Sequence, residues 1–161
     1  MVKRIIISLF GMFFLFGCST NMTSFEKGNI TSPRKVLIAA EDSAFKKKVV
    51  DRLVDKLGTK DWYFRIIGLN QLSKEDSGQY GAIILICKVS MGSIPSRVNT
   101  CLKKEQVKPK VVLFITSGSG DPLSGSIKTG IRGVDAVTSA SLDGQAEKRA
   151  DEIATQLIKR F

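Results

Sequence analysis

The sequence predicts an α/β domain built on a three-layer, doubly wound, five-stranded parallel sheet. Three observations lead to this fold class. Five short apolar runs recur after residue 34, segments with helical spacing lie between several of them, and most of the runs are apolar throughout rather than alternating. Continuous apolar runs are typical of parallel strands, which are buried on both faces because a parallel crossover is usually a helix.

Each predicted strand is short and rich in β-branched residues. Runs of this length, bounded by polar or glycine-bearing turns, have the form expected of buried strands. The five runs are residues 36–40, 62–67, 82–87, 111–116 and 134–138.

The clearest helix is predicted between the first two strands. Its apolar positions recur at helical spacing from Phe45 to Leu57, with lysines and aspartates between them. Asp42 or Ser43 is the candidate N-cap, and Gly58 follows the last turn. The pattern therefore predicts one amphipathic helix packed on the sheet.

The other crossovers are less regular. Pro95 fits the first turn of a helix after the third strand, and residues 146–161 have the apolar spacing of a final helix. Residues 69–79 have room for only a brief helix, and residues 121–133 for one turn or none. The second and fourth crossover helices are therefore expected to be reduced.

Composition allows one domain and excludes several chemistries. The chain has 161 residues, 43% hydrophobic and 25% charged, with three cysteines and no histidine. A domain of this size needs neither metal nor disulfides to stay folded. The lack of histidine excludes Ser-His-Asp and Cys-His catalysis and removes the commonest metal ligand. Cys87 and Cys101 are expected to be buried free thiols, although an exported location would permit a disulfide.

The N-terminus has the pattern of an export signal. Lys3 and Arg4 precede an apolar run over residues 5–16, which is too short to span a bilayer comfortably. The run ends at Leu15-Phe16-Gly17-Cys18, which resembles the lipobox of bacterial lipoproteins. That resemblance implies that Cys18 carries lipid. The alternative is an uncleaved N-terminal helix with an incidental cysteine.

These features predict the organisation of the chain and its location. Residues 1–17 form a lipoprotein signal peptide, residues 18–33 a lipidated N-terminus and polar tether, and residues 34–161 the domain. The protein is expected to be exported and anchored by lipid to a bacterial cell-envelope membrane.

The net charge of +10 suggests which partners the protein has. Two of these charges belong to the signal, which leaves +8 for the remainder. A basic surface is usually a solvated face. For an anchored protein the next explanation is attraction to anionic headgroups, so an anionic envelope surface is an expected partner. Nucleic acid is not expected, because basic residues are not interleaved with exposed aromatics and no known motif is present.

Three stretches of the domain carry a resemblance to a known fold. They are KVLIAA at residues 35–40, YGAIILICKVSMGSIP at residues 80–95 and VVLFITSGSGDP at residues 111–122. Together they resemble the flavodoxin-like fold, and the second and third are similar to flavodoxin-type quinone or protoporphyrinogen reductases. The resemblance implies FMN bound at the carboxyl edge of the sheet, where the strand order reverses between the first and third strands.

The same resemblance implies a set of cofactor-binding residues and no catalytic one. Glycines there let the backbone approach a planar ring, Met91 offers a polarizable contact, and Lys88 favours negative charge on the ring or phosphate. Turn-forming glycines, a core methionine and a solvated lysine are the structural alternatives. The implied residues are Asp42, Ser43, Lys88, Met91, Gly92, Ser93, Thr116, Ser117, Gly118, Ser119 and Gly120.

The segment at the phosphate position disagrees with a conventional flavin site. Residues 40–45 contain no glycine, one hydroxyl and two carboxylates that would repel a phosphate. Two functions therefore stay open. One is a membrane-anchored, FMN-binding electron-transfer or quinone-reductase-like module with a redox partner protein, which as an enzyme would be a flavin-dependent oxidoreductase. The other is a non-catalytic envelope lipoprotein with a degenerate flavin site that acts as a binding or structural module.

Overall fold

A computed structural model describes residues 22–118, 131 and 133–161. In this part of the chain six strands form one sheet with the order β1-β3-β2-β4-β5-β6. The strands are β1 (Phe25–Gly28), β2 (Lys35–Ala40), β3 (Tyr63–Gly68), β4 (Ala82–Lys88), β5 (Val111–Ser117) and β6 (Asp135–Ala140).

The five strands predicted from the sequence are present and mutually parallel. Neighbouring registers align their carboxyl ends, with Ala40 beside Ile86 and Lys88 beside Thr116. β4 is buried from its first residue to Cys87, as a continuous apolar run predicts for a strand covered on both faces. The parallel, doubly wound α/β prediction is confirmed.

The sixth strand, β1, lies in the segment that the sequence analysis placed in a polar tether. It pairs antiparallel with β3 at the sheet edge. Met22 before it and Ser32 after it are buried. The pattern FEKG gave no strand signal, because a short edge strand with charged side chains lacks the apolar run of an internal strand. Residues 22–32 therefore pack with the domain rather than extending away from it.

Helices α1 (Ala44–Leu57) and α3 (Ala146–Ile158) cover one face of the sheet. Ser43 caps α1 at its start, and Gly58 ends it with φ +74°, a conformation that suits glycine. The apolar positions of both helices pack with the inward side chains of the strands. This face has the thicker helical cover.

The opposite face is covered by shorter elements. They are α2 (Ser96–Leu102) and two 3-10 turns, Leu69–Lys74 and Ser77–Gln79. The second crossover is thus reduced, as expected. The predicted reduction over residues 121–133 falls outside the described residues except for residues 131 and 133.

The described residues add two findings on anchoring and chemistry. None of their helices combines the length and apolarity needed to cross a bilayer, and they contain no group of acidic or sulfur side chains able to hold a metal ion. Cys87 and Cys101 are buried free thiols, as the sequence analysis expected.

Candidate binding cleft at the carboxyl edge

The ends of β2 and β4 border an open cleft of about 520 Å³. It lies at the carboxyl edge of the sheet, where open α/β sheets bind ligands. The cleft is lined by Glu41, Asp42, Ser43, Lys46, Lys88, Ser90, Ser93, Ile94 and Pro95.

The Glu41 carboxylate is one of the groups that line this cleft. The Glu41 backbone N–H donates to the carbonyl of Ile86 at 3.1 Å, which extends the β2–β4 ladder by one residue. Glu41 Oε2 accepts hydrogen bonds from the backbone N–H of Lys88 at 2.8 Å and from Lys46 Nζ at 2.5 Å. Lys46 is only 4% exposed. The Lys88 backbone N–H and the Lys46 ammonium, which could hold an anion here, are therefore bound to a side chain of the protein itself.

Asp42 and Ser43 are both engaged in starting α1. Ser43 Oγ accepts the backbone N–H of Lys46 at 3.2 Å, and the Ser43 carbonyl accepts that of Lys47 at 2.9 Å. The Asp42 carboxylate forms an ion pair with Lys47 Nζ at 2.7 Å. These contacts satisfy orphan N–H groups of the first helical turn and complement its dipole.

The loop after β4 is a tight two-residue turn. The backbone N–H groups of Ser90 and Ser93 each donate to the other residue's carbonyl at 3.0 Å. Between them Met91 and Gly92 have φ +50° and +71°, which corresponds to a primed turn. Of the implied cofactor residues in this loop, Ser93 lines the cleft and Met91 points into solvent, fully exposed.

The end of β5 lies next to this loop but does not line the cleft. The Thr116 carbonyl accepts the backbone N–H of Val89 at 2.9 Å, so the two loops are joined. Among the described residues, Thr116 Oγ1 is buried and has no hydrogen-bond partner, Ser117 is buried, and a Cβ at the exposed Gly118 would meet nothing within 4 Å. Ser119, Gly120 and the lipidation candidate Cys18 lie outside the described residues.

The described residues do not fit the phosphate of FMN at the start of α1. Such a phosphate needs backbone N–H groups that point at it. Here the Lys88 and Lys46 N–H groups already donate to Glu41 and Ser43. The nearby ammonium groups of Lys46 and Lys47 are in addition already paired with Glu41 and Asp42.

The loops predicted to lie at this edge contribute Asp42, Ser43, Lys88 and Ser93 to the cleft, but the contacts of Glu41 were not predictable from the sequence. Glu41 and Lys46 are five residues apart, outside the i+3 and i+4 spacing at which helical side chains meet. The Lys88 N–H comes from another strand, so no local pattern connects it to Glu41. The available signals were the absence of glycine from residues 40–45 and the presence of two carboxylates there.

Solved structures with the same architecture confirm a flavodoxin-like fold. The response regulator domain of Thermotoga maritima CheB has 17% identity and a TM-score of 0.51, covering 79% of this chain and 95% of that one. A flavodoxin from the domain Archaea has 11% identity and a TM-score of 0.50, with 77% and 99% covered. An oxidoreductase from Corynebacterium diphtheriae has 13% identity and a TM-score of 0.51, with 79% and 96% covered.

No family model and no curated protein matches the sequence. The structural neighbours share the fold at identities too low to carry a function. They include a signalling domain as well as a flavodoxin, so the function has to be argued from the site.

Proposed function

We propose that this chain is a membrane-anchored, flavodoxin-like module that works by binding a partner or ligand and not by flavin redox chemistry. One observation carries the proposal. The Glu41 carboxylate accepts the Lys88 N–H and the Lys46 ammonium at the place where a nucleotide phosphate would need them. The flavin site is degenerate because the protein supplies its own anion there.

Glu41 competes with free ligands as an intramolecular group. A side chain attached next to its own binding site has an effective concentration of millimolar or more. A phosphate at micromolar concentration does not displace it. Replacing Glu41 with alanine should therefore open the anion position while leaving Lys46 and the Lys88 N–H available.

The test is a titration of the full-length protein in detergent with FMN, followed by quenching of flavin fluorescence. We expect the wild type to leave the fluorescence unchanged at micromolar FMN. Glu41→Ala should bind FMN or inorganic phosphate more tightly than the wild type by about tenfold or more. Asp42→Asn is the matched control, since it removes a neighbouring charge without freeing the Lys88 N–H.

A stoichiometric yellow complex of the wild type with micromolar FMN would overturn the proposal. It would favour the second candidate, an FMN-binding electron-transfer or quinone-reductase-like module with a redox partner protein. The position of the cleft at the carboxyl edge and the Ser93 hydroxyl and Lys88 that line it support that candidate.

The membrane part of the proposal is lipid on Cys18, which would hold the carboxyl edge of the sheet toward the bilayer. Met22 is buried in the core, and Ser24 Oγ hydrogen-bonds to Gln71 Oε1 at 2.5 Å in the turn that follows β3. The chain is thus fixed to the domain at this edge. Four residues from Cys18 to Met22 extend at most about 14 Å, so an acylated Cys18 would keep the domain close to the membrane.

Side chains suited to an interface lie on the same edge. Met91 is fully exposed after β4, and Leu142 is 56% exposed just after β6. Lys88 is also exposed there, where it would meet anionic headgroups. We infer that this edge rests on the envelope surface.

Two measurements test the anchoring. Labelled palmitate should appear on the wild type and not on Cys18→Ser, and an unlabelled wild type would contradict lipidation.

For orientation, a polarity-sensitive probe attached at position 91 should be quenched by brominated lipid, while one at Ile158 should not. Ile158 is 56% exposed as well, but it lies near the amino edge of the sheet. Quenching of the probe at position 158 alone would mean that the amino edge of the sheet, and not the carboxyl edge, faces the membrane.

A further inference from the structure

A second cavity lies on the sheet face opposite α1 and α3. It has a volume of about 160 Å³ and sits between the 3-10 turn Leu69–Lys74 and α2. Leu37 and Ile83 of the sheet form its floor. It exists because the second crossover is too short to cover this face with a full helix.

Positive charge dominates the rim of this cavity. Arg97 and Lys104 both line it and are exposed, and neither forms an ion pair with any part of the chain that the structure describes. Glu75 also lines it, but its carboxylate already accepts Arg65 Nε at 3.3 Å and the Tyr80 hydroxyl at 2.8 Å. Within residues 22–118, 131 and 133–161, the two cations therefore have no ion-pair partner.

We propose that this cavity binds a small organic anion with an apolar body, of the size of an aromatic or branched aliphatic carboxylate. An apolar cavity of about 150 Å³ accommodates benzene, which sets the size of the body. Arginine binds a carboxylate through two parallel N–H bonds, and lysine adds a point charge. The apolar floor takes the body of the ligand, and Arg97 and Lys104 hold its carboxylate at the rim.

This site is separate from the carboxyl-edge cleft and from the anchor. None of its lining residues lines the cleft at Glu41. The cavity would bind small organic anions whether or not the function proposed above is correct. Failure of one proposal leaves the other standing.

Cys101 provides a built-in reporter of occupancy. Its side chain lines the cavity and is 8% exposed, whereas Cys87 on the same face of the sheet is fully buried. A ligand in the cavity would cover the Cys101 thiol and slow its alkylation. The thiol of Cys87 should stay unmodified in either state, so it is an internal control.

The experiment uses the full-length protein in detergent, with benzoate as the probe and benzyl alcohol as its neutral counterpart, at constant ionic strength. Alkylation of Cys101 by iodoacetamide is followed at the peptide level by mass spectrometry. Saturating benzoate should slow it severalfold, and benzyl alcohol at the same concentration should have a smaller effect. Arg97→Gln and Lys104→Gln should each weaken benzoate binding by about tenfold, the loss expected for one charge-assisted hydrogen bond.

Lys103→Gln is the matched control, because Lys103 is an exposed neighbour that does not line the cavity. It should leave benzoate affinity unchanged. The proposal is overturned if benzoate fails to protect Cys101. It is also overturned if benzyl alcohol protects equally, or if Arg97→Gln and Lys104→Gln have no more effect than Lys103→Gln.

Discussion

Lys46 and Glu41 form the ion pair that defines the cleft, and its energetics follow from burial. A lysine is almost never fully buried without a partner, and the Lys46 side chain is 5% exposed against 23% for Glu41. The net gain from such a pair is small, but removal of one partner leaves the other charge uncompensated. The main effect of the pair is therefore to keep Lys46 from binding another anion in the cleft, and its contribution to stability is small.

Stability measurements can separate these effects. Glu41→Ala should lower the free energy of unfolding by about 2 kcal/mol, because Lys46 stays buried without its partner. The double variant Glu41→Ala, Lys46→Met should lose less than the sum of the two single losses, as measured by urea unfolding. Additive losses would show that the two side chains do not interact.

Thr116 has a buried hydroxyl at the end of β5. No residue that the structure describes forms a hydrogen bond with Oγ1, so nothing there compensates its desolvation. Thr116→Val keeps the shape and should raise the free energy of unfolding by about 1 kcal/mol in urea denaturation. Ser139→Ala is the contrast, since the Ser139 hydroxyl bonds to Gln145 Oε1 at 3.0 Å, and its loss should destabilise. A destabilised Thr116→Val would mean that the hydroxyl has a partner.

Cys87 makes the stability depend on alkaline pH. Burial, aided by the nearby Glu41 carboxylate, raises the pKa of the Cys87 thiol from 9.0 to about 12. Between these values the unfolded chain loses the proton while the folded protein keeps it. The contribution of the protonated Cys87 thiol to the free energy of unfolding is therefore complete below pH 9.0. That free energy declines as the pH rises toward 12, by up to about 1.4 kcal/mol per pH unit.

Cys87→Ala isolates this contribution. Burial also raises the pKa of Tyr80, which lowers stability at alkaline pH in both proteins. Unfolding free energies measured in urea from pH 8 to 10.5 should therefore fall more steeply for the wild type than for Cys87→Ala. Parallel curves would contradict a raised pKa at Cys87.

At the scale of single elements, predictability followed the strength of the local pattern. The internal strands β2, β4 and β5 were predictable because each is an uninterrupted apolar run. α1 was predictable from its spacing and caps. β1 was not, because its fit depends on the exposed edge of β3, a tertiary feature that four residues cannot encode. The same holds for the candidate site. The predicted fold indicated the sheet edge at which the cleft lies, but contacts between separate elements determine which of its groups are free to bind a ligand.

Gly28 shows how narrowly β1 is fitted. It ends the strand with φ +96°, and a Cβ built there would overlap the carbonyl oxygen of Trp62. That carbonyl accepts the backbone N–H of Asn29 at 3.0 Å. Gly28→Ala should lower the free energy of unfolding by about 3 kcal/mol, from backbone strain and displacement of the edge strand.

Gly58→Ala is its matched control. Gly58 also has a positive φ, +74°, but a Cβ there meets nothing within 4 Å. Gly58→Ala should lower the free energy of unfolding by about 1 kcal/mol, because only the strain of an alanine at positive φ is added and no steric overlap. Equal losses in thermal or urea unfolding would mean that β1 is not packed against Trp62 as described.

At the scale of the whole molecule, the two faces of the sheet are covered unequally. α1 and α3 seal one face, while short turns and α2 leave a cavity on the other. The carboxyl edge holds both the cleft that Glu41 lines and the point where the N-terminal segment enters the domain. If Cys18 carries lipid as proposed, the two candidate binding surfaces, the carboxyl edge and this cavity, would lie close to a membrane.

The most direct test of the central claim is an experimental structure of the protein determined in the presence of excess FMN. The account predicts that Glu41 stays hydrogen-bonded to the Lys88 N–H and the Lys46 ammonium, with no phosphate at the start of α1. A phosphate bound to the Lys88 N–H, with Glu41 turned into solvent, would contradict it.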